Sequence, residues 1–280
     1  TENIVLLATS PGLCHSVQVQ RFGTRDATPK VYIQGALHAD EVPAILVTQQ
    51  LSQRLTQLEQ EGAIVGEVVL VPFANPIGLA QHSLGQHQGR FDFRDGLNFN
   101  RGHADLVPAV VDALRDSLTP DATVNTRLIR SALKAAADVL PASSTTQDLK
   151  NQLLRLAVDA DIVLDLHCDT DAVMHVYALT PQAATAEVLG ATLGAQAVLL
   201  ATESGDAPFD ESCTRPWYQL QQLLPQFPID LACFGATIEL RGEADTQHAL
   251  AAQDASGICT FLAQQGALRA LPVAVPAPLC

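Results

Sequence analysis

Four short stretches of this sequence carry side chains that could do chemistry together. In Gly35-Ala36-Leu37-His38-Ala39-Asp40-Glu41, two residues separate an imidazole from a carboxylate, so one turn of chain can aim both at a single point. Imidazole nitrogen and carboxylate oxygen are ordinary donors to Zn²⁺. The same spacing also describes a surface histidine beside a glutamate that favours a helix N-terminus. Asp165-Leu166-His167 closes an apolar run. Residues two apart on a strand point to one side, so Asp165 can orient His167 or a neighbouring group; otherwise His167 is a core histidine satisfied by backbone. Asn98-Phe99-Asn100-Arg101 closes a polar stretch that also holds Arg90 and Arg94. Arginines gathered in one loop suit bidentate capture of a carboxylate and polarisation of a carbonyl, or they simply face water. Thr237-Ile238-Glu239-Leu240 puts a carboxylate in an apolar strand, where it must be paired, protonated or functional. Arg241 and Arg101 are the partners that would make it structural.

The elements that must position these groups follow from periodicity. Runs 17–20, 30–37, 66–73, 161–167, 173–179, 197–201 and 236–240 read as strands. Those at 66–73 and 161–167 are nearly continuous in apolar residues, as strands buried on both faces are. Helical spacing marks 44–59 (behind Pro43), 104–117, 126–139, 146–160, 181–193, 211–224 and 245–265. Alternation of the two predicts an α/β sheet covered on both faces. Such sheets bind ligands beyond the carboxyl ends of their strands, where His38, Glu41 and His167 fall. The polar stretch 81–102 is too long for a plain connection and is expected to be functional. Segment 118–147 reads as a helical insertion, suited to a lid or to self-association in a homo-oligomer. One unit over 1–268 is expected, followed at 269–280 by a linker or tail rich in proline.

Composition narrows the classes of function. A chain of 280 residues can bury a substantial core. With 48% hydrophobic and 16% charged residues it is no disordered polymer. No apolar run approaches the roughly 20 residues that a membrane span needs. The formal charge of −14 disfavours nucleic acid and anionic lipid as partners, and leaves room for a small anionic substrate held by local arginines. Six scattered cysteines without a C-x-x-C pair are too few for a disulfide framework, and the first residues lack a basic segment before an apolar one. Both predict a reducing, cytoplasmic setting.

Taken in order, H-x-x-E, N-P-x-G, N-R, D-L-H and T-x-E-L resemble the succinylglutamate desuccinylase/aspartoacylase family, a branch of the zinc carboxypeptidase-like hydrolases, over about 30–242. The resemblance implies a mixed, mostly parallel sheet flanked by helices on both faces. It implies one Zn²⁺ per chain, held by His38, Glu41 and His167, with a fourth position open to water. Glu239 would be the general base and then the general acid. Arg101, assisted by Asn100, would grip a substrate carboxylate. Arg90 would polarise the scissile carbonyl, with Arg94 its competitor for that role.

The implied activity is hydrolysis of an amide in an N-acylated amino acid or related acyl-amine, a small-molecule substrate. A metallocarboxypeptidase acting on peptides and a catalytically silent metal-binding protein are the alternatives. No G-x-S-x-G elbow for a serine nucleophile is present, and Cys168 beside His167 reads equally as a small buried filler. Two departures stand out. Ala39-Asp40 replaces the family's frequent Gly-Asn or Gly-Asp, and Arg241 intervenes between Leu240 and Gly242. In extended geometry Arg241 would share a side with Glu239, as its partner or as a substrate contact. Members of the family usually continue into a second, β-rich domain that helps close the site. The proline-rich end reads as a linker into such a domain, which would be missing from this chain.

Overall fold

The computed structural model describes residues 1–269; the stretch expected as a linker or tail lies, apart from its first residue, outside them. The chain begins with β1 (Glu2–Val5), β2 (Ser16–Gly23) and β3 (Lys30–Gly35), and a tight turn leads into α1 (Val42–Gln60). Next come β4 (Glu67–Val71), the one-turn α2 (Pro76–Leu79) and a small hairpin of β5 (His82–Ser83) and β6 (Gln86–His87). Three helices follow: α3 (Val107–Ser117), α4 (Ala122–Asp138) and α5 (Thr145–Ala157). The remainder alternates through β7 (Ile162–Asp169), β8 (His175–Leu179), α6 (Ala183–Leu193), β9 (Ala197–Ala201), α7 (Phe209–Leu223), β10 (Phe234–Gly242) and α8 (His248–Gln264).

Eight strands make one sheet in the order β1-β2-β4-β3-β7-β10-β8-β9. The run β4-β3-β7-β10 is parallel, as is β8 with β9, while β1 with β2, β2 with β4 and β8 with β10 pair antiparallel. The fold is therefore α/β, with a mixed, mostly parallel sheet between two helical layers. Alternation along the central strands divides side chains between two cores. In β7, Ile162, Leu164, Leu166 and Cys168 join α1, α6 and α8, while Val163 joins α3, α4, α5 and α7. Asp165 and His167 are in step with Val163. On that face the apolar layer ends and polar chemistry begins.

The connections place the crevice. From β3 the chain leaves along one face through α1, and it returns to β7 through α3, α4 and α5 on the other. Connections that diverge between neighbouring parallel strands open a cleft at their carboxyl ends. Helix α4, the heart of segment 118–147, packs Ile129, Leu133 and Ala137 into the core, and no residue of that segment lines the cleft. Among the described residues no helix is long and apolar enough to cross a membrane. Cys14, Cys168, Cys213, Cys233 and Cys259 are free thiols.

Candidate metal centre

The turn after β3 is held under strain. Ala36 takes φ of +62°, a left-handed conformation that costs a non-glycine residue about 1–2 kcal/mol. Contacts from the end of β4 offset it. Ala74 N–H donates to the Gly35 carbonyl at 2.9 Å, and Asn75 Nδ2 donates to the Leu37 carbonyl at 2.9 Å. Asn75 Oδ1 meanwhile accepts from Gly78 N–H at 2.8 Å, so Asn75-Pro76-Ile77-Gly78 clamps the turn that carries His38. Gly89 lies against the turn's other side, where a Cβ would stand 2.1 Å from the Asp40 nitrogen. Only glycine fits so close an approach, and it delivers the neighbouring Arg90. Glu41 stands at the N-cap of α1 without capping it. Its carboxylate turns inward instead.

There it meets two imidazoles. His38 Nδ1 is 2.8 Å from Glu41 Oε1, and His167 Nδ1 is 2.8 Å from Glu41 Oε2. All three residues are buried, and their donor atoms lie within 4.8 Å of one another. The outer nitrogen of each ring meets an oxygen: His38 Nε2 lies 2.9 Å from Asn98 Oδ1, and His167 Nε2 lies 3.0 Å from Asp165 Oδ2. Asp165 is fixed in turn, since Gln34 Nε2 donates to it at 2.9 Å and Tyr32 donates to Gln34 at 2.7 Å. The Asn98 contact assigns the His38 ring proton to Nε2 and turns its Nδ1 lone pair toward the carboxylate, while His167 presents Nδ1 to the other carboxylate oxygen.

Lone pairs so close repel unless a cation or a proton lies among them. Two features report that demand. Arg90 Nη1 reaches His38 Nδ1 at 2.7 Å and Glu41 Oε1 at 3.4 Å. Burial opposes protonation of His167, yet Asp165 and Glu41 hold its pKa well above the ordinary value. Burial lowers the pKa of His38, which keeps it neutral and able to ligate. Burial alone would raise Glu41, but His167 and His38 hold its carboxyl far below the usual range. Two imidazoles and a carboxylate fit a divalent ion of borderline softness, which would take the place of the His167 Nδ1 proton.

Parallel pairing of β7 and β10 sets Glu239 directly beside His167. Burial raises the Glu239 pKa and Glu41 adds to the effect, against the pull of His167. Its Oε2 is buried with no hydrogen-bond partner among the described residues. A carboxyl so poised, next to such a donor set, can take up and return a proton. These groups open into a cavity of about 320 Å³, which Arg90, Asn100 and Arg101 also line. Asn100 bridges two elements, with Nδ2 3.3 Å from His167 Nε2 and Oδ1 accepting from Phe209 N–H at 2.9 Å. The loop carrying it is pinned by buried Lys150 of α5, whose Nζ donates to the Asn98 carbonyl at 2.9 Å and the Arg101 carbonyl at 2.6 Å.

The structure thus brings His38, Glu41, His167 and Glu239 together, with Arg90, Asn100 and Arg101 on the same cavity. Arg94 lies apart. Its guanidinium grips buried Asp92 at 3.1 Å and reaches Thr9 and Thr145 at 3.3 and 3.4 Å. Arg241 also turns away. The strand bulges between Glu239 and Gly242, Arg241 adopts φ of +68°, and its guanidinium pairs with Asp254 of α8 at 2.5 Å. Side-chain alternation fails at a bulge, which corrects the expectation that Arg241 shares the side of Glu239. Sequence reasoning gives no role to Gln34, Asn98, Lys150 or Asp210. Gln34 did leave a signal, as a polar residue inside an otherwise apolar strand; Lys150 and Asp210, on helices, left none.

Comparison with known proteins agrees with this geometry. The model of the succinylglutamate desuccinylase/aspartoacylase catalytic domain matches residues 27–264. Solved structures of succinylglutamate desuccinylase/aspartoacylase family proteins from Shewanella amazonensis and Shewanella frigidimarina are 27% and 28% identical, with TM-scores of 0.84 and 0.83. Each alignment covers 99% of this chain, and 75% and 74% of the respective relatives. A Shewanella baltica protein described as a metallopeptidase shares the fold alone, at 17% identity and a TM-score of 0.56 over 94% of this chain and 86% of that one. No curated protein matches the chain. The matched span runs from before β3 to the end of α8 and takes in every donor residue, so this chain belongs to the succinylglutamate desuccinylase/aspartoacylase family of hydrolytic deacylases.

Proposed function

We propose that the protein is a zinc-dependent deacylase that hydrolyses the amide bond of an N-acylated amino acid or a related acyl-amine. The observation that carries this reading is the convergence of His38 Nδ1, Glu41 and His167 Nδ1 beside the unpartnered carboxylate of Glu239 in one cavity. His38, Glu41 and His167 would hold the zinc, which when bound supplies Lewis acidity and a water nucleophile active near neutral pH. Glu239 takes the proton of the attacking water and returns it to the leaving nitrogen. Arg90 cannot donate to His38 Nδ1 once that lone pair is used. Its guanidinium is then free to donate to the carbonyl oxygen and to hold the charge that develops there. Arg101, with Asn100, takes the substrate carboxylate. Arg94, engaged by Asp92, has no part in the reaction. Residues 1–268 form the hydrolase unit, with 269–280 as a linker or tail, in a cytoplasmic setting.

The test is a panel of N-acetyl and N-succinyl amino acids and dipeptides, offered to zinc-replete protein whose metal content is measured by elemental analysis. Turnover of acylated amino acids with about one zinc per chain is expected. Preferred cleavage of dipeptides would favour the carboxypeptidase reading. Less than about half a zinc per chain, with no turnover, would favour a silent scaffold.

A further inference from the structure

The charged side chains on the cavity wall do not balance by themselves. Two arginines, Arg90 and Arg101, face four carboxylates, Glu41, Asp210, Glu211 and Glu239. A divalent ion among His38, Glu41 and His167 brings the lining to neutrality. A substrate with one carboxylate then leaves an excess negative charge, and a second acidic group would add another. Charge excess around largely buried carboxylates is unfavourable unless a counter-ion enters with the ligand.

Asp210 marks where that counter-ion belongs. It sits in the first turn of α7, lines the cavity and is only 7% exposed. Among the described residues no arginine or lysine side chain forms an ion pair with it, and the Glu211 backbone N–H only partly offsets its burial. Burial, with the charges of Asp165 and Glu211, pushes its carboxyl up to about 7, against the pull of His167. Glu211 accepts from Ser204 N–H at 2.6 Å through Oε1 and leaves Oε2 buried without a partner. The helix N-terminus offsets part of this burden but offers no cation. Thr214 and Thr237 line the same cavity, and Leu179 and Leu199 add an apolar wall that suits an alkyl chain.

We propose that Asp210 is the counter-ion for an ammonium or guanidinium on the amine half of the substrate, so that the preferred substrate is the N-acyl derivative of a basic amino acid. Arg101 and Asp210 together then read a zwitterion. The acyl-amide part of this inference rests on the deacylase reading; the cation rests on the charge of the cavity.

Three compounds of similar length test it: Nα-acetyl-L-lysine, N-acetyl-L-norleucine and N-acetyl-L-glutamate. In zinc-replete protein, kcat/KM for the lysine derivative should exceed that for the norleucine derivative by about tenfold or more, and that for the glutamate derivative by a wider margin. In Asp210→Asn the lysine-to-norleucine ratio should collapse to within about threefold of one. A ratio near one in the unmodified protein, a preference for glutamate, or a ratio that survives in Asp210→Asn overturns the proposal. Calorimetric dissociation constants of lysine, norleucine and glutamate for the unmodified protein give the order independently of turnover and of how the variant folds. Should none of the acylated compounds be hydrolysed, the deacylase reading falls and the subsite is still decided. Lysine bound about tenfold more tightly than norleucine supports it, and any other order overturns it.

Discussion

Glu239 acts from a strand, and burial sets its chemistry. Its carboxylate is beside His167 by backbone register, so replacing it by glutamine leaves the metal donors in place. Glu239→Gln should therefore retain about one zinc per chain and lose about 10²–10⁴-fold in kcat. Hydrolysis at the unmodified rate would remove Glu239 from its role. A base must be ionised to accept a proton, so activity climbs as pH rises through its pKa. Because that pKa is raised, the acid limb of kcat/KM should lie above the ordinary glutamate value of about 4.3, and Glu239→Gln should abolish that limb. At this scale a carboxylate within an apolar strand was legible from its type alone, whereas His38 and Glu41, whose spacing also fits a surface pair, were legible only through the resemblance of the ordered motifs. The sequence was not legible where backbone conformation decides. Arg90 and Arg94 are alike in composition and neighbourhood, yet Gly89 brings one against the metal turn and Asp92 captures the other.

The loop between β6 and α3 gathers Arg90, Asn98, Asn100 and Arg101 but has little regular structure to hold it. Lys150 does that work from α5, donating to two of its carbonyls while only 8% exposed. Lys150→Met removes the side-chain donor from both carbonyls, leaving Asn98 only the long 3.4 Å bond from Arg101 N–H, and should cost about 1–3 kcal/mol in denaturant unfolding. It should also raise KM for carboxylate substrates by about fivefold or more through Arg101, with kcat less affected. Lost stability with KM unchanged would confine Lys150 to packing. Among elements, β7 could be read from its nearly continuous apolar run and α1 from its helical spacing behind Pro43. Strand β1 escaped because it lies at the sheet edge, half exposed and only four residues long. The β5–β6 hairpin has two-residue strands, too short for any period to show.

For the molecule as a whole, two cores share one sheet, and the site lies where the polar ends of β3, β7 and β10 break out of one of them. The α/β class was readable because strands and helices alternate in sequence; the strand order was not, since pairing of distant segments leaves no local mark. A metal bound only by the folded state stabilises all of it. At free zinc about 100-fold above the dissociation constant the gain is about 2.7 kcal/mol. That corresponds to roughly 5–10 °C in thermal melts of a chain this size, reversed by a chelator. An unchanged melt would mean that His38, Glu41 and His167 do not jointly hold an ion in the native state.

The close packing of Gly89 against Asp40 has a further consequence. His38, His167 and Glu239 hang from three adjacent strands, whereas the arginines ride on a single excursion moored at Gly89 and Lys150. The metal donors with their base and the arginines that hold the substrate's carbonyl and carboxylate are thus separate modules joined at two anchor points. Divergence among relatives can rewrite the second without disturbing the first, provided both moorings survive.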